Sequence, residues 1–121
     1  MSNPNIAAAT SILGGTNYGL ITTSLTEVLE NPASSNQIIK INTLVIQNID
    51  GTNAADITAT ISDANGSSDS SLAKQITVPA KSNLVLISKD ISFYLLENKA
   101  INLQASAASD LLYLLSYETI S

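Results

Sequence analysis

IIKINTLVIQNIDGTNAADITATI, residues 38–61, decides the fold class. Both ends are rich in β-branched residues, and Asp50-Gly51 opens a turn between them. Residues 56–63 alternate cleanly. Ile57, Ala59 and Ile61 share one face and Thr58, Thr60 and Ser62 the other, the period of a half-buried strand. Residues 37–48 do not alternate in this way: Ile39 and Ile41 share one face, Leu44 and Ile46 the other. Either a bulge near Asn42-Thr43 flips the register, or both faces of this strand are covered. The stretch as a whole reads as a hairpin.

More strands follow on either side. Residues 24–31 form a weakly alternating strand ended by the turn cluster at Pro32. After the polar loop 64–71, residues 72–78 place Leu72, Lys74, Ile76 and Val78 on one face. Residues 83–89 are an apolar run, which predicts a central strand. Residues 91–97 follow, then a turn in which Asn98 tolerates positive φ. Residues 100–106 point Ile101, Leu103 and Ala105 inward, and 110–120 complete the set. About eight strands at short, regular spacing, with no competing helical period, predict an all-β antiparallel sandwich. Its topology is a jelly roll or, as the alternative, immunoglobulin-like, and the strand count leans to the jelly roll.

Two parts are expected, an extended N-terminal arm over 1–23 and the β-sandwich domain over 24–121. The arm has no sustained period, and Gly14-Gly15 reads as its hinge. Its apolar residues Ile6, Ile12, Leu13, Leu20 and Ile21 would serve no purpose in a solvated tail. They are expected to lie on the chain's own domain or on a neighbour. Leu44 and Ile46 on the long strand, and Leu112 and Leu114 on the last, are the candidate contact residues of the strand faces.

Composition narrows the function. Charged residues are 12% of the 121, about half the usual share. Ser (17), Thr (11) and Asn (12) together fill a third of the chain. Such a surface suits burial against other proteins, where desolvating charge costs free energy. Ten acids against five Lys and no Arg, a net charge of −5, argue against nucleic acid and anionic membranes as partners. No signal peptide or membrane span is expected either. With no His and no Cys, the commonest general base, zinc ligands and thiol chemistry are missing. No enzyme, cofactor or metal is expected.

The remaining candidates read as structure. Glu27 with Glu30, and Asp50 with Asp56, are solvated or turn-capping acids rather than a catalytic pair. The serines have no His partner, and Gly14-Gly15 lacks the Gly-Lys-Ser/Thr of a phosphate loop. Oxygen ligands recur over 63–69, but without the Gly and Glu spacing of a calcium hand. Phe93 and Tyr113 read as core, with tyrosine hydroxyls at the rim.

The order of several segments resembles a known group. These are Ile49-Asp50-Gly51-Thr52-Asn53-Ala54-Ala55-Asp56-Ile57-Thr58, then Val78-Pro79-Ala80, then Leu84-Val85-Leu86-Ile87-Ser88-Lys89. After them come Leu103-Gln104-Ala105-Ser106-Ala107-Ala108-Ser109-Asp110-Leu111 and the closing Ser116-Tyr117-Glu118-Thr119-Ile120-Ser121. Together, over residues 38–121, they resemble small virion structural proteins of tailed bacteriophages, especially those of marine and cyanobacterial hosts. The resemblance implies a β-sandwich in the virion, a capsid decoration or cement protein or a part of the neck, tail or fibres. Its partners would be itself, as a homotrimer, and the major capsid protein or other virion proteins. One departure is Glu97-Asn98-Lys99, where that group has Glu-Gly-Asp. A reading of another class, a host-surface or carbohydrate-binding module, would use the 63–71 loop and the tyrosines.

Overall fold

The computed structural model describes residues 6–63 and 69–121, with the backbone alone of Ile6, Asp69 and Lys89. After a short 3-10 turn at Ile6–Ala8 come β1 (Ile12–Leu20), β2 (Thr26–Asn31), β3 (Ile38–Asn48), β4 (Ala55–Asp63) and β5 (Asp69–Val78). The chain continues through β6 (Asn83–Ile87), a second 3-10 turn at Lys89–Ile91, β7 (Phe93–Leu95), β8 (Lys99–Ala105) and β9 (Leu111–Ile120). The described residues thus form nine strands, in two antiparallel sheets. Sheet A runs β1-β9-β3-β6, with β7 also on β3, and sheet B runs β2-β8-β4-β5.

The pairing is nested. β4 pairs β5, β3 pairs β6 and β7, β2 pairs β8, and β1 pairs β9. One long antiparallel ribbon rolled over itself gives this order, which is the jelly roll rather than the immunoglobulin arrangement.

The bulge account of β3 is the correct one. Pairing with β9 shifts register between Ile41 and Thr43, and the extra residue, Asn42, donates its Nδ2 to Glu118 Oε1 at 3.0 Å. The bulge turns Ile39, Ile41, Leu44 and Ile46 to the same, inner face, where all four are buried. There they meet Leu111 and Leu115 of β9 and, from sheet B, Ile57, Val78, Ile101 and Leu103 in one apolar core.

The 38–61 stretch is not a hairpin. β3 and β4 lie in opposite sheets, and residues 49–54 carry the chain across the sandwich. Asn48, 1% exposed, fixes the crossing: its Nδ2 donates to the carbonyls of Asn53 (3.0 Å) and Val78 (2.9 Å), and its Oδ1 accepts from Asp50 N–H (2.9 Å). Asn31, equally buried, does the same at another crossing. Its Nδ2 donates to the carbonyls of Gln37 and Leu95, each at 3.0 Å, and its Oδ1 accepts from the Ser35 hydroxyl. Each Asn ties together backbone groups of the segments that meet where the chain passes between the sheets.

Two further expectations are corrected. The apolar run 83–89 is not central: β6 is an edge strand, its apolar residues shared between core and surface. In β5 the expected face breaks at Gln75, whose φ of 52° marks a kink, so that Ala73 and Val78 point inward and Ile76 is exposed. Asn98 adopts the expected left-handed conformation (φ 63°).

The segment expected as an arm supplies β1, paired with β9 over nine unbroken steps from Ile12↔Ile120 to Leu20↔Leu112. Its inner face is nearly bare of side chains because β9 fills the space. Tyr117 lies against Gly15, and Tyr113 faces Gly19. Asn17 ties the strand to sheet B, donating from Nδ2 to Val28 O (3.1 Å) while its Oδ1 accepts from the Tyr117 hydroxyl (3.3 Å).

Candidate functional site

The two outer faces differ in kind. In sheet B one row across the four strands is Glu27–Asn102–Thr60–Ser71. It is polar and largely self-satisfied, since Asn102 Nδ2 donates to the hydroxyls of Thr60 (3.3 Å) and Ser62 (2.8 Å). In sheet A the matching row is Tyr18–Leu114–Val45–Val85, and the next is Leu20–Leu112–Gln47–Asn83. Tyr18 is 76% exposed, Val85 55%, Leu20 54% and Leu114 45%. Between the rows lies a shallow depression of about 380 Å³, walled by Tyr18, Leu112, Leu114, Val45 and Asn83. A single exposed Leu needs no explanation; an apolar row spanning a whole sheet makes this the candidate contact surface.

The expected contact residues divide between this surface and the core. Leu112 and Leu114 line the depression, and Leu20 lies in its second row. Ile12 and Leu13 are exposed on β1. Leu44 and Ile46 are not contact residues. Both are wholly buried between the sheets, because the Asn42 bulge rotates them inward. Ile21 is likewise buried in the core of its own chain, and the Ile6 side chain lies outside the described residues. Sequence reasoning missed Tyr18, Val45 and Val85. The alternation of Tyr18 and Leu20 against Gly15 and Gly19 was the available signal for the first.

The sheet edges differ as well. Both edges of sheet B carry devices that discourage strand addition: Glu27 and Glu30 on β2, Lys74 and the kink at Gln75 on β5. β1 has no charge, no proline and no register break.

The acids sit apart from any common cavity. Asp50 caps its own turn: Oδ1 accepts from Thr52 N–H (2.8 Å) and Asn53 N–H (3.2 Å). These backbone bonds, Thr52's first, hold its carboxyl below the usual aspartate range. Asp56 accepts from the Thr77 hydroxyl at 2.9 Å. Burial, then the neighbouring Glu30, raises the Glu27 carboxyl. Lys99 and Asp63 form a cross-strand ion pair. Among the described residues, no three acids gather as a metal site and no helix is long and apolar enough to cross a membrane. Most of the 63–69 oxygen-rich stretch lies outside the described residues. Phe93 and Tyr113 pack on the core, and burial raises the Tyr113 phenol.

In sequence, the chain matches no protein family and no curated protein. In fold it is similar to a chain from the structure of Bacillus endospore appendages, described as a novel family of disulfide-linked pili. The TM-score is 0.56 at 12% identity, over 100% of this chain and 96% of that one. It is also similar to a pentameric capsid protein from metagenomic phage sequences, in two structures. Each has a TM-score of 0.40, at 13% and 12% identity, over 87% of this chain. The match spans about three fifths of those capsid chains, 62% and 60%.

Proposed function

We propose that the chain is a non-enzymatic structural subunit of a bacteriophage virion, a capsid cement or decoration protein that self-associates and adds buried area between shell subunits. The observation that carries this reading is the apolar row Tyr18–Leu114–Val45–Val85, open across one sheet of a sandwich whose other sheet is polar. A chain this poor in charge suits repeated protein contacts. The resemblance of residues 38–121 to tailed-phage virion proteins points the same way. Copy number in purified particles tests it. Hundreds of copies per particle, and a capsid that melts at lower temperature without the protein, are the expected results. About 3 to 24 copies, as symmetric collars and tail rings carry, would move it to the neck or tail, and absence from particles would end the reading.

A second reading, the repeating subunit of a fibre or appendage, is favoured by the whole-length match of fold to the Bacillus appendage chain. Those pili are described as disulfide-linked, whereas none of these 121 residues is a cysteine. Purified protein that forms filaments in negative-stain electron microscopy would favour this reading over the shell.

A further inference from the structure

Sheet A ends at β1, and the free edge of that strand has a definite chemistry. Ser11 and Ser121 exchange both backbone bonds, each at 2.9 Å, and Ile21 N–H donates to Leu111 O at 2.9 Å. Ser11 and Ile21 are odd-numbered. In an antiparallel ladder successive residues alternate, so the odd residues of β1 bond to β9. The even residues, Ile12, Gly14, Thr16, Tyr18 and Leu20, turn their N–H and C=O groups to the free edge. From Gly14 onward these even positions are the exposed, outer ones, and Gly15, Asn17 and Gly19 between them are half-buried. Nothing among the described residues pairs with this edge.

The edge is self-complementary. Thr16 is the middle residue of Ile12–Leu20. A two-fold axis at Thr16 sets Ile12 against Leu20 of a second copy, Gly14 against its Tyr18, and Thr16 against its Thr16. All are even with even, so every backbone group on the edge meets its counterpart. The side chains match too. A Cβ on Gly14 would meet nothing within 4 Å, so the face there is open to the ring of the second copy's Tyr18. Shifting the axis by one residue shortens the overlap and takes Tyr18 off Gly14. β6, the other edge of sheet A, has five residues and a register break, and offers no match of this length.

We infer that two copies of this chain join through β1, antiparallel about Thr16, into one continuous sheet whose outer apolar rows run across the dyad. Leu112–Leu20 of one copy then meets Ile12–Ile120 of the other in a single row. The inference rests on the reading of the chain as a self-associating subunit and names one of its contacts.

The sequence has no cysteine, so a single introduced thiol reports the register. Hydrogen-bonded antiparallel partners lie about 5.5 Å apart at Cα, within disulfide range. Under mild oxidation the Thr16→Cys chain is expected to form a covalent dimer at least tenfold faster than Leu13→Cys. The two Leu13 positions would be six residues out of step, about 20 Å. The wild-type chain is expected at twice its 12.6 kDa mass in sedimentation experiments. Thr16→Lys, which sets like charges opposite each other on an exposed position, should raise the dissociation constant at least tenfold with an unchanged circular dichroism spectrum. A wild-type monomer at about 1 mM, or equal cross-linking at positions 13 and 16, overturns the inference. An oligomer that forms yet does not cross-link through position 16 overturns the dyad and leaves the structural-subunit reading standing. A dimer cross-linked at 16 in a protein absent from particles does the reverse.

Discussion

The ring of Tyr117 occupies the space that a side chain at Gly15 would fill. A Cβ on Gly15 would come 2.6 Å from Tyr117 Cζ, while one on Gly14 next to it would touch nothing. The tyrosine supplies from β9 the bulk that β1 lacks, and its hydroxyl donates to Asn17 Oδ1.

Two alanine substitutions one residue apart should therefore differ in sign. Gly15→Ala forces the Tyr117 ring off β1 and should cost about 1–3 kcal/mol, the range of overpacking. Gly14→Ala meets open space within its own chain in an extended strand, so at dilutions where the chain is monomeric it should be neutral or stabilise by about 0.4–1 kcal/mol. Urea unfolding of both variants checks this; equal effects would mean that Tyr117 does not seat on Gly15.

The inward rotation of Leu44 can be tested in the same way. Leu44→Ala should cost about 2–5 kcal/mol, as for a buried leucine that leaves a cavity. Leu114→Ala, on the exposed row, should change stability by about 0.5 kcal/mol or less while weakening self-association. Chemical denaturation gives the first quantity and sedimentation the second. A large stability loss at 114, or a small one at 44, would contradict the register set by Asn42.

Removal of the amide at Asn48 leaves the Val78 carbonyl without that donor in a buried site. Asn48→Ala should cost about 1–3 kcal/mol for orphaned groups of this kind, well above what loss of side-chain volume at an exposed turn would cause. Asn31→Ala should behave alike. Melting temperatures compared with an exposed control, Asn83→Ala, check both.

Asp50 makes part of the stability depend on pH. Its folded carboxyl titrates below its unfolded value, near 3.9. Its contribution is therefore complete above about pH 4 and is lost as pH falls through the lower folded value. Thermal melts of wild type and Asp50→Ala should differ at neutral pH and converge in acid. A difference that persists to the lowest pH would mean that the charge of the carboxylate plays no part.

The sandwich was legible because alternation survives wherever one face is buried, as in Ile57–Ile61 and Ile101–Ala105. The jelly roll was legible only as one of two options, since no residue announces that 49–54 crosses between sheets instead of closing a hairpin. Asn48, the residue that enforces the crossing, is indistinguishable in sequence from the other eleven asparagines. The broken period of 37–48 points to a bulge near Asn42-Thr43 or to a strand covered on both faces; Leu44 and Ile46 are contact residues on the second account, whereas the inserted Asn42 turns both inward. β1 was hidden because its inner positions are Gly15, Asn17 and Gly19, and the bulk that completes them comes from tyrosines a hundred residues away in sequence. The apolar face was half legible. Leu112 and Leu114 show the period, whereas Val45 and Val85 join them only through pairing.

The nested order also fixes a timetable for synthesis. β9 lies between β1 and β3, yet Leu111 follows Leu20 by 91 positions. Until β9 leaves the ribosome, β1 has no partner and the inner edge of β3 is bare. Sheet A therefore closes only after translation has passed β9, by a long-range step of the slow kind. During that interval the uncharged β1 strand has both of its edges bare.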